Sequence, residues 1–303
     1  MTEKLQDKLR GTGVAIVTPF TKSNAIDFLA FEKILNHIIS NGVEYIVLLG
    51  TTGESATLSK LERQTLIEFA IERIDHRVPL VLGLGGNNTS ELVLSIHGTP
   101  FKDIDAILSV CPYYNKPTQE GIYQHFKIVA ETSPVPVILY TVPSRTCSNI
   151  SASTTLKLAH DFKNIIGIKE ASGSFDQIFH LLKNRPKGFL VISGDDAITL
   201  PLLAAGADGV ISVVANAFPK KFSEMVRLGL HDDFTAARKI HFELIDLINA
   251  LFLDGSPGGI KAALNMMDLC EEIVRLPLVP VNKDVHKLIK KLIKKFVVKL
   301  NKE

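Results

Sequence analysis

Lys169 closes the run Ile165-Ile166-Gly167-Ile168-Lys169, a short apolar stretch of the kind that forms a buried strand. Side chains alternate along a strand, so Lys169 shares its direction with Gly167 and Ala171, while Ile166, Ile168 and Glu170 point the other way. Its small neighbours clear space around it. An ammonium poorly exposed to water loses hydration, which lowers its pKa and leaves some free amine, the form that attacks a carbonyl carbon to make a Schiff base. Taken alone, the fragment also fits a strand-end lysine whose ammonium snorkels to solvent. The rest of the chain decides between the two.

From Gly11 onward, short β-rich apolar runs alternate with stretches of helical spacing. The runs are Gly13–Val17, Tyr45–Leu49, Leu80–Leu84, Ala106–Val110, Val135–Tyr140, Ile165–Lys169, Phe189–Ser193 and Gly209–Val213. Between and after them lie predicted helices near 27–40, 59–74, 89–98, 118–131, 151–160, 174–183, 196–205 and 219–229, several opened by a Ser, Thr or Asp cap. Eight strand–helix units predict an α/β fold, the (β/α)8 barrel, over residues 11–229. A doubly wound sheet would carry a glycine fingerprint after its first strand. The first turn instead reads Val17-Thr18-Pro19-Phe20, and the Gly83–Asn88 run follows the third strand and lacks the last small residue.

In such a barrel the chemistry sits at the C-terminal ends of the strands. Those ends read Thr18-Pro19, Gly50-Thr51-Thr52-Gly53-Glu54, Gly85-Gly86-Asn87, Pro112-Tyr113-Tyr114-Asn115, Tyr140 to Arg145, Lys169-Glu170, Gly194-Asp195-Asp196 and Ser212 to Asn216. The rim is rich in hydroxyls and glycines and has one arginine. None of the nine histidines falls in it, and Asp195-Asp196 is its only close acidic pair, so no metal site is expected. Capping of the next helix accounts for those aspartates. His125 and His160 fall in helical stretches and read as surface or packing residues.

Composition narrows the class further. The 303 residues are 46% hydrophobic and 22% charged with a net charge of +2, a balance unlike that of a nucleic-acid binder or a disordered chain. Cys111, Cys147 and Cys270 are far apart and form no CxxC pair, which points to a reducing compartment and a cytoplasmic protein. The longest apolar runs are too short to span a bilayer. Residues 1–10 form a polar N-terminal segment. Residues 230–303 read as an all-helical C-terminal extension, whose last helix carries one apolar stripe of Val285, Leu288, Ile289, Leu292, Ile293 and Val297. Packing of that stripe on the barrel or a sister subunit is preferred to membrane binding, because Phe296 is its only aromatic anchor.

Four fragments, Gly50-Thr51-Thr52-Gly53-Glu54-Ser55, Tyr113-Tyr114-Asn115, Tyr140-Thr141-Val142-Pro143-Ser144-Arg145-Thr146 and Gly167-Ile168-Lys169-Glu170, fall in that order on the ends of strands two, four, five and six. Together they closely resemble the dihydrodipicolinate synthase family. The resemblance runs from about Gly11 to Asn216 and more loosely beyond. It implies a class I aldolase on a (β/α)8 barrel that joins pyruvate to L-aspartate-4-semialdehyde, giving 4-hydroxy-tetrahydrodipicolinate on the route to lysine and diaminopimelate. It implies no cofactor beyond the covalent imine between Lys169 and pyruvate.

By the resemblance, Lys169 forms that imine and Tyr140 shuttles protons beside it, linked through Thr51 or Thr52 to Tyr114 of a neighbouring subunit. The amides of Thr51 and Thr52 suit the pyruvate carboxylate, Arg145 the carboxylate of the second substrate, and Gly194 and Ile211 complete the substrate contacts. Tyr113 and Tyr114 would lie between subunits of a homotetramer, a dimer of dimers. Related barrels that cleave sugar acids share Lys169 and Tyr140 but need a different loop after strand five, and Ser144-Arg145-Thr146 favours the synthase over that alternative. Cys147 stands where the family commonly has glycine and Thr141 where asparagine is common, both expected beside Arg145. The Gly255–Gly259 loop departs from an Asn-Pro segment, with Lys261 at a familiar spacing. A lysine-binding allosteric cleft would draw on Asn87 and Glu91, but Lys60 and Arg63 beside it predict weak or absent inhibition by lysine.

Overall fold

The computed structural model describes residues 2–300. It opens with α1 (Thr2–Lys8), then β1 (Gly11–Ala15), α2 (Phe28–Ser40), β2 (Tyr45–Leu48), α3 (Lys60–Ile74), β3 (Leu80–Gly83), α4 (Thr89–His97), β4 (Ala106–Val110) and α5 (Gln119–Thr132). There follow β5 (Val137–Thr141), α6 (Pro143–Thr146), α7 (Ala152–Asp161), β6 (Ile165–Glu170), α8 (Phe175–Asn184), β7 (Leu190–Ser193), α9 (Thr199–Ala204) and β8 (Gly209–Ser212). Four helices end the described chain: α10 (Pro219–Leu230), α11 (Phe234–Ala250), α12 (Gly258–Asn265) and α13 (Lys283–Leu300). The strands are all parallel and close in sequence order, β8 returning to β1. This is the (β/α)8 barrel that the sequence predicts.

Nearly every strand residue is buried, as a strand covered on both faces requires. Ala15, Tyr45, Val47, Val81, Leu108, Ile138, Tyr140, Ile192 and Ile211 fill the interior together, and Leu9 joins them from the end of the N-terminal segment. That segment is therefore helical, and Leu9 closes the barrel where β1 begins. The outer layer packs the opposite faces against helices whose starts are fixed locally. Ser59 and Glu62 form a reciprocal capping box on α3, and Asp27, Asn88, Thr118, Ser151, Ser174 and Asp233 each accept a hydrogen bond from the first turn of the helix that follows.

Three departures from the sequence expectations have local causes. β1 ends at Ala15 because the Val17 N–H donates to Asn216 Oδ1 at 3.1 Å rather than to a neighbouring strand. In β6 the pairing slips between Val137 opposite Ile165 and Ile138 opposite Gly167, leaving Ile166 as an extra residue. This bulge breaks the two-residue period, so Ile166 joins the barrel interior with Tyr140 while Ile168 packs outside, correcting the expectation that both point the same way. Asp196 does not cap α9. Its Oδ2 accepts instead from the Val213 and Val214 N–H groups at 3.0 and 2.8 Å, and α9 starts three residues later than its pattern predicts.

The C-terminal helices lie against the barrel. Ile289 and Ile293 of α13 are buried in the large core cluster, with Val285 and Leu292 packed on it and Leu288 more open. The stripe thus packs on α11 and α12 of its own chain. Val297 and Phe296, named with that stripe, lie outside the residues whose side chains are described, as Met1 and residues 301–303 lie outside the described chain.

Candidate active site

Because the strands are parallel, their C-terminal ends share one rim, and Tyr140 and Lys169 stand on it in register on adjacent strands. Lys169 is 6% exposed and its Nζ lies 4.5 Å from the Tyr140 ring centroid. Among the described residues the ammonium has no acceptor and no ion-pair partner. The bulge at Ile166, three residues before the lysine, bends the strand end, as bulges do. On the other side, a Cβ on Gly194 would lie 3.1 Å from Lys169 Cε, 2.6 Å from Ala171 Cβ and 3.2 Å from the Glu170 carbonyl oxygen. Cleared space does surround the lysine, supplied by Ala171 and Gly194.

Glu170, next in β6, faces away from the barrel interior. Its carboxylate accepts from Ser172 N at 2.6 Å and Gln177 Nε2 at 2.8 Å, and burial pushes its pKa up. The Gln177 side chain continues to Asn149, whose Oδ1 accepts from Thr141 Oγ1 at 2.8 Å. Thr141 is therefore committed to an outer hydrogen-bond chain, and the expectation that it bears on the substrate arginine is corrected: alternation turns it away from Tyr140. Cys147 does lie beside Arg145, as the residue ending α6. It holds φ 54° there and donates its N–H to the Pro143 oxygen at 2.9 Å. Glycine suits that left-handed position better than cysteine.

Thr51, Thr52 and Gly53 form a single 3-10 turn after β2, with Thr52 buried and Thr51 exposed. The turn is fastened by Thr18 Oγ1, which donates to the Gly53 oxygen at 2.7 Å. It leads into Glu54, a non-glycine residue at φ 52°, ψ 34° whose side chain is fully buried. Arg145 lies exposed on α6, and Ile211 lies in the barrel interior. Tyr113 and Tyr114 are both exposed in the single chain, Tyr114 to 87% and at φ 72°. The Tyr114 N–H reaches the Thr146 oxygen at 3.4 Å, so the loops after β4 and β5 meet. No side-chain hydrogen bond joins Tyr140 to Thr51, Thr52 or Tyr114 among the described residues.

Three supports went unread in the sequence. Asn216 donates from Nδ2 to the Ala15 oxygen at 2.9 Å while accepting from Val17, which ties the ends of β8 and β1 together. Asp196 ties β7 to the turn after β8. Among the described residues its Oδ1 has no hydrogen-bond partner, and burial pushes its pKa up to about 6 against the pull of the Val214 amide, the Ser212 side chain and the Val213 amide. Thr18 holds the threonine turn. The rim position of each was visible in the sequence, but the acceptor each would find was not. Among the described residues, no group of three or more His, Cys, Asp or Glu is placed to hold a metal ion, and no helix is long and apolar enough to cross a membrane.

The model of the dihydrodipicolinate synthetase family matches residues 8–296. The chain belongs to that family. A 4-hydroxy-tetrahydrodipicolinate synthase of Flavobacterium psychrophilum is 54% identical over 275 residues, covering 91% of this chain and 94% of the relative. The crystal structure of dihydrodipicolinate synthase from Aquifex aeolicus superposes with a TM-score of 0.92 at 41% identity, over 95% of this chain and 98% of that one. A structure described as the first monomeric dihydrodipicolinate synthase variant gives 0.93 at 38% identity, over 96% and 98%.

Proposed function

We propose that the chain condenses pyruvate with L-aspartate-4-semialdehyde to 4-hydroxy-tetrahydrodipicolinate, the committed step towards lysine and diaminopimelate. The observation that carries this is the Lys169 amine, buried at the barrel rim, unpaired and 4.5 Å from the Tyr140 ring. The amine attacks the keto carbon of pyruvate and water leaves, giving an iminium that withdraws electrons from the neighbouring methyl group. Loss of a methyl proton yields an enamine, whose terminal carbon attacks the aldehyde and forms the new C–C bond. The amino group of the second substrate then displaces Lys169 from the imine carbon, closing the ring and freeing the enzyme.

Tyr140 moves the protons of these steps, since its hydroxyl is carried on the strand next to the lysine. The amides of Thr51 and Thr52 hold the pyruvate carboxylate, Gly194 and Ile211 wall the substrate, and Arg145 binds the carboxylate of the semialdehyde. The exposed, positive-φ Tyr114 completes the proton chain of a second copy in a dimer of dimers, whose interface would also cover Tyr113, exposed in the single chain. A fully active monomer in sedimentation at assay concentration would remove that cross-subunit role, and one solved relative is described as a monomeric variant.

At the candidate lysine cleft, Arg63 Nε donates to the Leu58 oxygen, Glu62 is occupied by Ser59 and Arg275, and Asn87 donates to the Tyr113 oxygen. Glu62 is thus not available to offset Lys60 and Arg63, which supports weak or absent inhibition by lysine. Three free cysteines fit a cytoplasmic enzyme. Borohydride added with pyruvate tests the central reading: a covalent adduct on Lys169 is expected, absent in Lys169→Ala. A coupled assay with aspartate semialdehyde should show turnover that falls sharply in Arg145→Ala. No adduct in the wild type would remove the Schiff-base reading.

A further inference from the structure

We propose that Glu54 and Lys261 are positioning residues for the substrate-carboxylate turn, so that the C-terminal helices belong to the active-site machinery. The inference rests on the reading of Thr51 and Thr52 given above. The turn Thr51–Gly53 is followed at once by Glu54 in the left-handed region, where a side chain is sterically disfavoured and needs outside support. That support comes from 207 residues away. Lys261 Nζ, on α12, contacts Glu54 Oε1 at 2.5 Å, and the second carboxylate oxygen, Oε2, accepts from the Arg275 N–H at 2.9 Å. Both side chains of the ion pair are fully buried.

The site is built for this contact. Lys261 Nζ also donates to the Ile273 oxygen at 2.8 Å, and the Phe20 ring, which follows Thr18-Pro19 at the end of β1, takes Lys261 at 4.2 Å and Arg275 at 4.3 Å from its centroid. The Arg275 guanidinium continues to the Thr57 oxygen at 3.0 Å and to Glu62 at the start of α3. Gly259 lets the start of α12, which carries Lys261, pack against the end of α11, for a Cβ there would lie 2.2 Å from the Leu251 oxygen. Glu54, Thr57 and Glu62, at the start, middle and end of the stretch that follows the threonine turn, are thus each held by Lys261 or Arg275.

A buried ion pair is a poor device for stability, because desolvation offsets most of its attraction, but it is a good device for orientation. Here the oriented element is the backbone whose amides face the substrate. If the Glu54 side chain loses its partner, the left-handed residue relaxes and the amides of Thr51 and Thr52 turn with it. The loss appears in binding of the substrate carboxylate, while the Lys169 amine, held by β5, β6 and Gly194, is untouched.

The test uses the full chain, with Glu54→Gln/Lys261→Met to remove both charges at similar volume and Glu54→Gln as a harsher single variant, which keeps one carbonyl acceptor but leaves the buried Lys261 without its counter-charge and turns an NH2 towards the Arg275 N–H. Measured are thermal unfolding, the KM for pyruvate, kcat, and borohydride trapping at saturating pyruvate. The expected result is a folded variant whose pyruvate KM rises about tenfold or more, with kcat changed by less than about threefold and trapping on Lys169 retained. If one of the two variants fails to fold, the other carries the same comparison. A folded variant with the wild-type pyruvate KM overturns the proposal, as does a loss of folded fraction with no change in KM. Absence of an adduct in the wild type would instead sink the Schiff-base reading beneath it, so the two failures are distinct.

Discussion

The Tyr140 ring and the Lys169 ammonium meet at 4.5 Å across the β5–β6 ladder, paired in register at the rim of the barrel. The ring packs beside the lysine while the hydroxyl is the group proposed to move protons, and a substitution separates the two. Tyr140→Phe keeps the ring beside the lysine and is expected to leave stability nearly unchanged while slowing turnover by about 10²–10⁴-fold. Rapid-quench borohydride trapping with pyruvate measures the imine-forming step directly. Turnover within a few-fold of wild type would show that another group moves the protons.

Gly194→Ala introduces a methyl group where 2.6 Å separates it from Ala171 Cβ and 3.1 Å from Lys169 Cε. Ala171 follows β6 directly, two residues beyond the lysine, so neither can retreat without moving the other. We expect kcat/KM to fall about a hundredfold through displacement of the amine, with a stability loss of about 1–3 kcal/mol. Wild-type kcat/KM in a folded variant would mean that the lysine tolerates the shift.

Cys147 closes α6 at φ 54°. The left-handed region costs a non-glycine residue about 1–2 kcal/mol, whereas glycine adds about 0.5–1 kcal/mol of chain entropy to be lost on folding. Cys147→Gly is therefore expected to be neutral or to stabilise by about 1 kcal/mol in urea denaturation, and a clear loss would show that the thiol makes a contact worth more than the strain.

Two carboxyl groups give opposite pH dependences of stability. The Arg275 guanidinium beside Glu62 holds its carboxyl down at about 2 against an ordinary 4.5. Folding favours its ionised form, so this contribution is fully present above the ordinary value and is lost as pH falls towards 2. Burial holds Asp196 up at about 6 against an ordinary 3.8, so folding favours its neutral form, and that contribution is present below the ordinary value and lost as pH rises through 6. Asp196→Asn should flatten the stability curve between these two values and gain about 1–3 kcal/mol relative to the wild type's own change across that window. Glu62→Gln should lose stability at neutral pH and converge on the wild type in strong acid. Thermal melts across the acid range decide both, and parallel curves for variant and wild type would refute the assignment.

The barrel was legible in the sequence because parallel strands covered on both faces must be continuous apolar runs, and the eight runs and their capped helices recur in order. The rim positions of Lys169 and Tyr140 were legible because each closes such a run, and those of Thr51, Thr52 and Arg145 because they follow one, whereas the roles expected of them came from the family resemblance alone. The period of two fails at Ile166, because a bulge is a mismatch between two strands and neither β5 nor β6 carries it alone. Asp196 was assigned from its own neighbourhood and Thr141 from the family resemblance, yet Asp196 serves the turn after β8 and Thr141 an outer chain through Asn149. Glu54 and Lys261 could be noted singly but not joined: chain separation of 207 residues leaves no local pattern, and only closure of the barrel with α12 folded back over Phe20 brings carboxylate and ammonium together. Sequence determines what each segment can become, whereas partners between distant segments are chosen by burial, which exists only once the chain has folded.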